Sequence, residues 1–262
     1  MRTIAITNQK GGCGKTTTAV NLAAAFAAGG RATLLVDLDP QGHATMGAGF
    51  DPESVETTVR DLFADPAIPA REVVLRTPLD KLDLIPSNIL LSGAEFNIRS
   101  MNDREYLLSR ALSELDGFYD ICIIDCSPSL NLLTVNALVS SHDVVIPVQT
   151  HYYSLEGLRQ VLATIEIVQD RFNAQLNILG ILLTFVDRRA TMSKQIQRQL
   201  REYFGDAVLE TVIHRNVRLA EAPSARAPVL TYAPKSKAAL EYELLANEIE
   251  HARKDWITET NT

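Results

Sequence analysis

Cysteine is scarce in this 262-residue chain: only Cys13, Cys122 and Cys126 are present. Three thiols are too few for a disulfide framework, and two of them sit four apart in an apolar run, so buried, reduced thiols are expected. Long hydrophobic runs are also missing, and no apolar stretch has the length of a membrane-spanning helix. The first residues, MRTIAITNQKGG, lack the charged, apolar and small-residue order of a secretory leader. A cytoplasmic protein is the expectation. Repeats, low-complexity tracts and Gly/Ser linkers are absent too, which excludes solenoids and flexibly joined modules. What remains is ordinary: 46% hydrophobic and 22% charged residues, enough apolar material for a core without metals or disulfides. The length fits one α/β domain over 1–262, with 255–262 expected as a flexible tail.

Positive charge is in deficit overall, the chain carrying −7, but it is not evenly spread. Between Asp187 and Lys237 ten basic residues face five acids, a local +5 that leaves −12 on the rest. A basic segment on an acidic body is the asymmetry of a surface that meets a polyanion, although a solvated basic helix face would give the same count.

Apolar, β-branched runs alternate with amphipathic stretches. Strands are expected at Thr3–Thr7, Ala32–Asp37, Leu82–Pro86, Ile121–Asp125, Val144–Val148, Ile178–Phe185 and Val208–Ile213. Helices are expected near Lys15–Ala28, Asp103–Glu114, Leu130–Ser140, Leu155–Phe172, Met192–Phe204 and Ala238–Asp255, with a short one at Val59–Phe63 in the irregular Gly47–Leu79 stretch. The strands are continuously apolar, as in sheets covered on both faces. Alternation of strand and helix then predicts an α/β fold, a doubly wound, mostly parallel sheet.

The chemistry begins where the first strand ends. Asn8-Gln9-Lys10-Gly11-Gly12-Cys13-Gly14-Lys15-Thr16-Thr17-Thr18 precedes a helix, and such a loop turns backbone N–H groups toward phosphate oxygens. Lys15 would neutralise the β- and γ-phosphates and the Thr16 hydroxyl would ligate Mg²⁺. Gln9 stands where the usual motif has its first glycine, and a second lysine, Lys10, precedes the glycine pair. Two further strands end in carboxylates, at Leu34-Leu35-Val36-Asp37-Leu38-Asp39 and Ile121-Cys122-Ile123-Ile124-Asp125. The carboxyl ends of strands are where open α/β sheets bind ligands. Asp125 is the candidate for holding Mg²⁺ through water, and Asp37 reads as structural or as a support to the groups around the metal. The reaction expected is phosphoryl transfer to water, achieved by positioning and charge stabilisation.

The lysine-Gly-Gly-x-Gly-lysine-Thr pattern resembles the deviant Walker A family, which includes ParA/Soj partition proteins, MinD and the nitrogenase iron protein. The resemblance to ParA/Soj covers nearly the whole chain. It is carried by Asp37–Gly42, Asp125–Leu130, Leu132–Leu138, Tyr152–Leu158 and Arg215–Ser224. It implies a P-loop ATPase using ATP and Mg²⁺, in which Lys10, Gly11, Gly12, Cys13, Gly14, Lys15, Thr16 and Thr17 hold nucleotide and Asn216 contacts the base. Asp39 would help position water and the metal shell. Lys10 would reach across an ATP-dependent homodimer to the partner's nucleotide. Arg189 and Arg218 match positions that bind double-stranded DNA without sequence preference, with Lys194, Arg215, Arg188, Arg198, Arg201 and Lys235 as helpers. A ParB-like or cargo-adaptor protein would stimulate slow hydrolysis, and the protein would be nucleoid-associated. The chain departs from the family at Ser127, His43, His214 and Arg226, and His214 replaces a common proline beside the segment assigned to the base.

Other classes fit less well. Membrane cycling of the MinD kind needs a basic amphipathic C-terminal helix, whereas Tyr242–Thr262 holds Glu243, Glu248, Glu250, Asp255 and Glu259 against Arg253 and Lys254. No membrane partner is therefore expected. An iron–sulfur reductase would need cysteines placed to bridge a cluster, and an amidoligase or small-molecule kinase would need a second substrate site, which the sequence does not display. Because Met1 nearly abuts the first strand, a short form without an N-terminal operator-binding extension is expected.

Overall fold

The computed structural model describes residues 1–151 and 154–251. Tyr152 and Tyr153 of the family-like segment, and the expected tail at 255–262, lie outside them. Eight strands form one sheet: β1 (Arg2–Ile6), β2 (Thr33–Leu38), β3 (Leu75–Arg76), β4 (Leu82–Ile85), β5 (Ile121–Cys126), β6 (Asp143–Gln149), β7 (Asn177–Val186) and β8 (Val208–His214). Their spatial order is β3-β4-β2-β5-β1-β6-β7-β8, and all pairings are parallel except β3 with β4. The expected sheet is present, extended by the two-residue antiparallel edge strand β3.

The helices are α1 (Lys15–Ala28), α2 (His43–Gly47), α3 (Val59–Ala64), α4 (Ala70–Val73), α5 (Leu91–Ile98), α6 (Leu107–Ser113), α7 (Leu132–Val139), α8 (Ser154–Arg171), α9 (Thr191–Phe204), α10 (Val217–Glu221), α11 (Val229–Tyr232) and α12 (Lys237–His251). The helix expected over Asp103–Glu114 is broken: Asp103 adopts a left-handed φ of 52°, a 3₁₀ turn follows at Arg104–Tyr106, and the α-helix starts only at Leu107. The C-terminal helix begins one residue earlier than expected, and residues 252–255 of its expected span are outside the description.

Side-chain alternation explains the layers. On β1, Ile4 and Ile6 face a core made with α1 and α12, while Ala5 faces the core that packs α3, α5, α6, α7, α8 and α9. Both faces are covered, so the strands can be apolar throughout. Ala19, Ala23, Ala24 and Ala27 are small enough to bring α1 close to the sheet.

The two outer strands are closed by different means. β3 is too short to template a neighbour. On β8, the Arg201 guanidinium donates to the Val208 and Leu209 carbonyls at 3.4 and 3.0 Å, and the Glu248 carboxylate accepts the Glu210 and Thr211 amides at 2.7 and 2.8 Å.

Candidate functional site

Strand β1 turns directly into the glycine-rich loop, and three side chains shape that turn. Asn8 donates to the Pro147 carbonyl at 2.7 Å and accepts the Lys10 amide at 3.0 Å, tying the loop's start to β6. Thr184 of β7 donates to the Cys13 carbonyl at 2.7 Å. Gly14 has φ +91°, and an added Cβ would lie 3.2 Å from the Phe185 ring, so glycine is required by backbone and by space. Phe185 itself holds a left-handed φ of 50°, a strained conformation for an aromatic residue.

From Gly14, which offers no capping side chain, the chain enters α1, whose first-turn N–H groups have no acceptor within the helix. Lys15 is buried and its ammonium donates to the Lys10 carbonyl at 3.1 Å. Among the described residues the Lys10 ammonium has no hydrogen bond or ion pair. Cys13 is wholly buried in the loop, and burial pushes its thiol pKa up, so it serves as packing there.

Strands β2 and β5 bring the carboxylates together. Asp37 and Asp125 are register partners, both fully buried, on the face that carries α1. The two are not equivalent. Asp37 accepts the Asp39 amide at 3.0 Å, the Thr45 amide at 2.7 Å and the Thr45 hydroxyl at 2.8 Å. Thr45 Oγ1 in turn accepts the Ser87 amide at 2.9 Å, linking the ends of β2 and β4 through α2. Asp37 is thereby tied to the turn after β2 and to α2. Burial nevertheless raises its pKa to about 6.

Among the described residues neither Asp125 oxygen has a hydrogen-bond partner of ordinary geometry. Burial raises its pKa well above the carboxylate range and Asp37 adds to the rise, while Thr16 and Lys15 oppose it. An unpartnered carboxyl on this scale fits a cation that is bound with the substrate, and Thr16 provides a hydroxyl on the same side. Asp39 lies one residue past β2, largely buried, where its Oδ1 accepts the Gln41 amide at 3.0 Å. Lys15, Thr16, Asp39 and Asp125 therefore converge at the strand ends beside the loop.

Asn216 lies elsewhere on the same edge. It caps α10, accepting the Arg218 amide at 2.9 Å, and Thr17 and α11 are bridged nearby by Asn21, which donates to the Thr17 carbonyl and accepts the Val229 amide.

The basic residues divide into free and committed groups. The ends of β7 and β8 are adjacent, with the Arg215 amide donating to the Val186 carbonyl at 3.1 Å. Arg189 and Arg215 follow those ends and Lys194 lies on α9. All three are exposed and without a side-chain partner among the described residues. Arg218 is exposed but paired to Glu221 at 2.8 Å. Arg198 pairs with Glu202, Arg201 is spent on the β8 edge, and Arg188 donates to His214. Of the expected helpers, Lys194, Arg215 and Lys235 have no side-chain partner among the described residues.

Comparisons with known proteins bear on this arrangement. A family model described as an AAA domain matches residues 1–178. The sporulation initiation inhibitor protein Soj of Bacillus subtilis (strain 168) is 50% identical over 246 residues, covering 94% of this chain and 97% of that protein. The chromosome partitioning protein ParA of Myxococcus xanthus (strain DK1622) is 44% identical over 248 residues, covering 95% of this chain and 87% of that protein. A solved Mycobacterium smegmatis structure, described as cobyrinic acid a,c-diamide synthase with bound ADP and magnesium, superposes with a TM-score of 0.85 at 37% identity and covers 97% of both chains. Near-full-length identity of this order, together with a sheet that delivers the two-lysine loop and its carboxylates to one edge, places the chain in the ParA/Soj family of P-loop partition ATPases.

Proposed function

We propose that the chain hydrolyses ATP with Mg²⁺ as a ParA-type positioning ATPase, whose ATP-bound homodimer holds double-stranded DNA without sequence preference. The observation that carries the ATPase reading is the unpartnered, buried Asp125 carboxyl on the α1 face, beside Thr16 and Lys15. Thr16 and Asp125, with Asp39 in support, would hold a magnesium ion there, and it would supply charge neutralisation to the phosphates. Lys15 leaves the Lys10 carbonyl to take phosphate, the α1 amides hold the anion, and Asp39 orients the attacking water. The unpartnered ammonium of Lys10 supports a role on a second copy's nucleotide, which would couple dimerisation to ATP. Asn216 is assigned to the base.

The free cations Arg189, Arg215 and Lys194 support contact with phosphodiesters, and Arg218 joins them if a phosphate displaces Glu221. A ParB-like or cargo-adaptor protein would stimulate hydrolysis and release the protein from the nucleoid. The cargo is a plasmid, a chromosome or a protein assembly. No helix of the described residues is long and apolar enough to cross a membrane.

The relative described as an amide synthase defines the competing reading. Such an enzyme needs a second substrate site beside the phosphate loop. Two pockets, of about 480 and 500 Å³, are lined by residues including Asp83 and Tyr119, and Leu130 and Asn131, and neither includes the loop, Asp39 or Asp125. The test is ATP turnover with Mg²⁺, with unrelated DNA duplexes in one arm and glutamine plus a corrinoid carboxylate in the other. Nucleotide-dependent DNA binding without amide formation supports the proposal. Amide formation, or DNA binding equal in ATP and ADP, overturns it.

A further inference from the structure

His214 closes β8 at the centre of a polar chain that no partition chemistry requires. Its Nδ1 lies 2.7 Å from Glu241 Oε1, its amide donates to Glu241 Oε2 at 3.0 Å, and its Nε2 receives the Arg188 Nε–H at 2.9 Å. Lys237 pairs with the same Glu241 oxygen at 3.1 Å and approaches Nδ1 at 3.3 Å. Glu241 is almost wholly buried.

These contacts fix the proton. A guanidinium can only donate, so Nε2 must offer its lone pair and the ring hydrogen sits on Nδ1, facing Glu241 at 2.7 Å; the Lys237 ammonium, which also only donates, is then held by Glu241 Oε1 at 3.1 Å and not by Nδ1. The arrangement is consistent only for the neutral imidazole. A second proton would fall on Nε2, setting N–H against N–H at 2.9 Å and adding a positive charge beside Arg188. The ring's own bond to Glu241 would survive, because Nδ1 donates in both states. What gives way is the arginine.

The groups around the ring agree with this. Glu241 from α12 favours a charged imidazole, whereas Lys237 from α12, Arg188 from the segment after β7 and the neighbouring Arg215 oppose it. Asp187 is engaged with the Arg189 amide at 2.8 Å. Arg188 is the one opposing cation whose removal costs a single hydrogen bond to the ring.

We propose that His214 and Glu241 are positioning residues of the basic surface: Glu241 sets the Nδ1–H tautomer, the neutral ring holds Arg188 against the end of β8, and protonation releases Arg188 to a polyanion beside Arg189 and Arg215. The inference rests on the DNA-binding reading for its polyanion, but the tautomer and the release do not.

The experiment has two arms on the full chain. In the first, ring ¹⁵N NMR, with His214 assigned through His214→Gln, reads the tautomer, and the Arg188 Nε–H signal is followed from pH 8 to 5.5. An Nδ1–H ring at pH 8 and an arginine signal lost as His214 titrates are expected. An Nε2–H ring, or an arginine signal indifferent to the titration, overturns the proposal. In the second, DNA affinity of the ATP state is measured across salt at pH 8 and 5.5, with melting curves to verify folding. One new phosphate contact per subunit steepens the logarithmic salt slope by about 0.9 each, hence by about two in a dimer. Arg188→Gln and His214→Gln should both remove that increment. An increment that persists in either variant overturns the release. If no DNA binds at any pH, the DNA-binding reading fails, and the first arm still decides the relay.

Discussion

The buried carboxylates at the ends of β2 and β5 predict an unusual response to pH. Asp37 is fully buried and its pKa is raised to about 6, with burial the largest cause. In the unfolded chain an aspartate titrates near ~3.9. Between those values the native state holds a proton that the unfolded state has lost, so stability falls as pH rises through that window and the loss is complete above the folded value. A difference of about two pK units corresponds to roughly 3 kcal/mol at ~1.36 kcal/mol per unit. At ~2–4 °C per kcal/mol for a chain of this size, that is on the order of 6–12 °C in melting temperature. Other groups titrate in the same range, so the informative quantity is the difference between the parent and Asp37→Asn. The variant carries a constant penalty, because an amide cannot replace every bond accepted from Asp39 and Thr45. On top of that constant, it should gain about 3 kcal/mol on the parent between pH 4 and 7, measured by calorimetry with EDTA and no nucleotide. A difference that stays flat across the range, or moves against the variant, would refute the reasoning about burial.

Three further outcomes follow from the site. Lys15→Ala should lose ATP affinity, whereas Lys10→Ala should keep substantial binding but remain monomeric with ATP in sedimentation; a Lys10→Ala dimer would exclude the action in trans. Asp39→Ala should bind ATP and dimerise yet turn over at least tenfold slower, and parent-like phosphate release would remove Asp39 from the chemistry. Arg189→Glu with Arg215→Glu should abolish DNA binding on unrelated duplexes without disturbing the dimer, while Glu221→Gln, by freeing Arg218, should strengthen it; unchanged affinity in both would move the DNA surface elsewhere.

Much of this was legible in the sequence because the physics was local. The strands of the parallel sheet are continuous apolar runs, and the phosphate loop announces itself through three glycines and two lysines within six residues. Elements held by their surroundings were not legible. The α5 helix at Leu91–Ile98 and the two-residue β3 carry too little periodicity to stand out, and the break at Asp103 depends on a left-handed residue that composition does not mark. The distinction between Asp37 and Asp125 is a matter of partners: Thr45 and the Asp39 amide satisfy one carboxyl, the Ser87 amide fixes Thr45, and the other carboxyl has no such partner among the described residues. The charge count likewise overstated the basic surface, since Arg188, Arg198 and Arg201 are already engaged by groups the count ignores. His214 and Glu241 are 27 positions apart, and only folding makes them a pair.

The closed margins of the sheet restrict how copies of this chain can meet. A sheet protein with an open margin can polymerise by lending its backbone to the next molecule, without limit and without regard to nucleotide. Here one margin is cut to two residues and the other has its carbonyls and amides occupied by Arg201 and Glu248. Strand exchange and fibre growth are thereby discouraged, and contact between copies is left to the loop-bearing rim and the helical faces. Replacing Arg201 or Glu248 with alanine would reopen the margin, and the symptom would be aggregation under conditions that leave the fold intact.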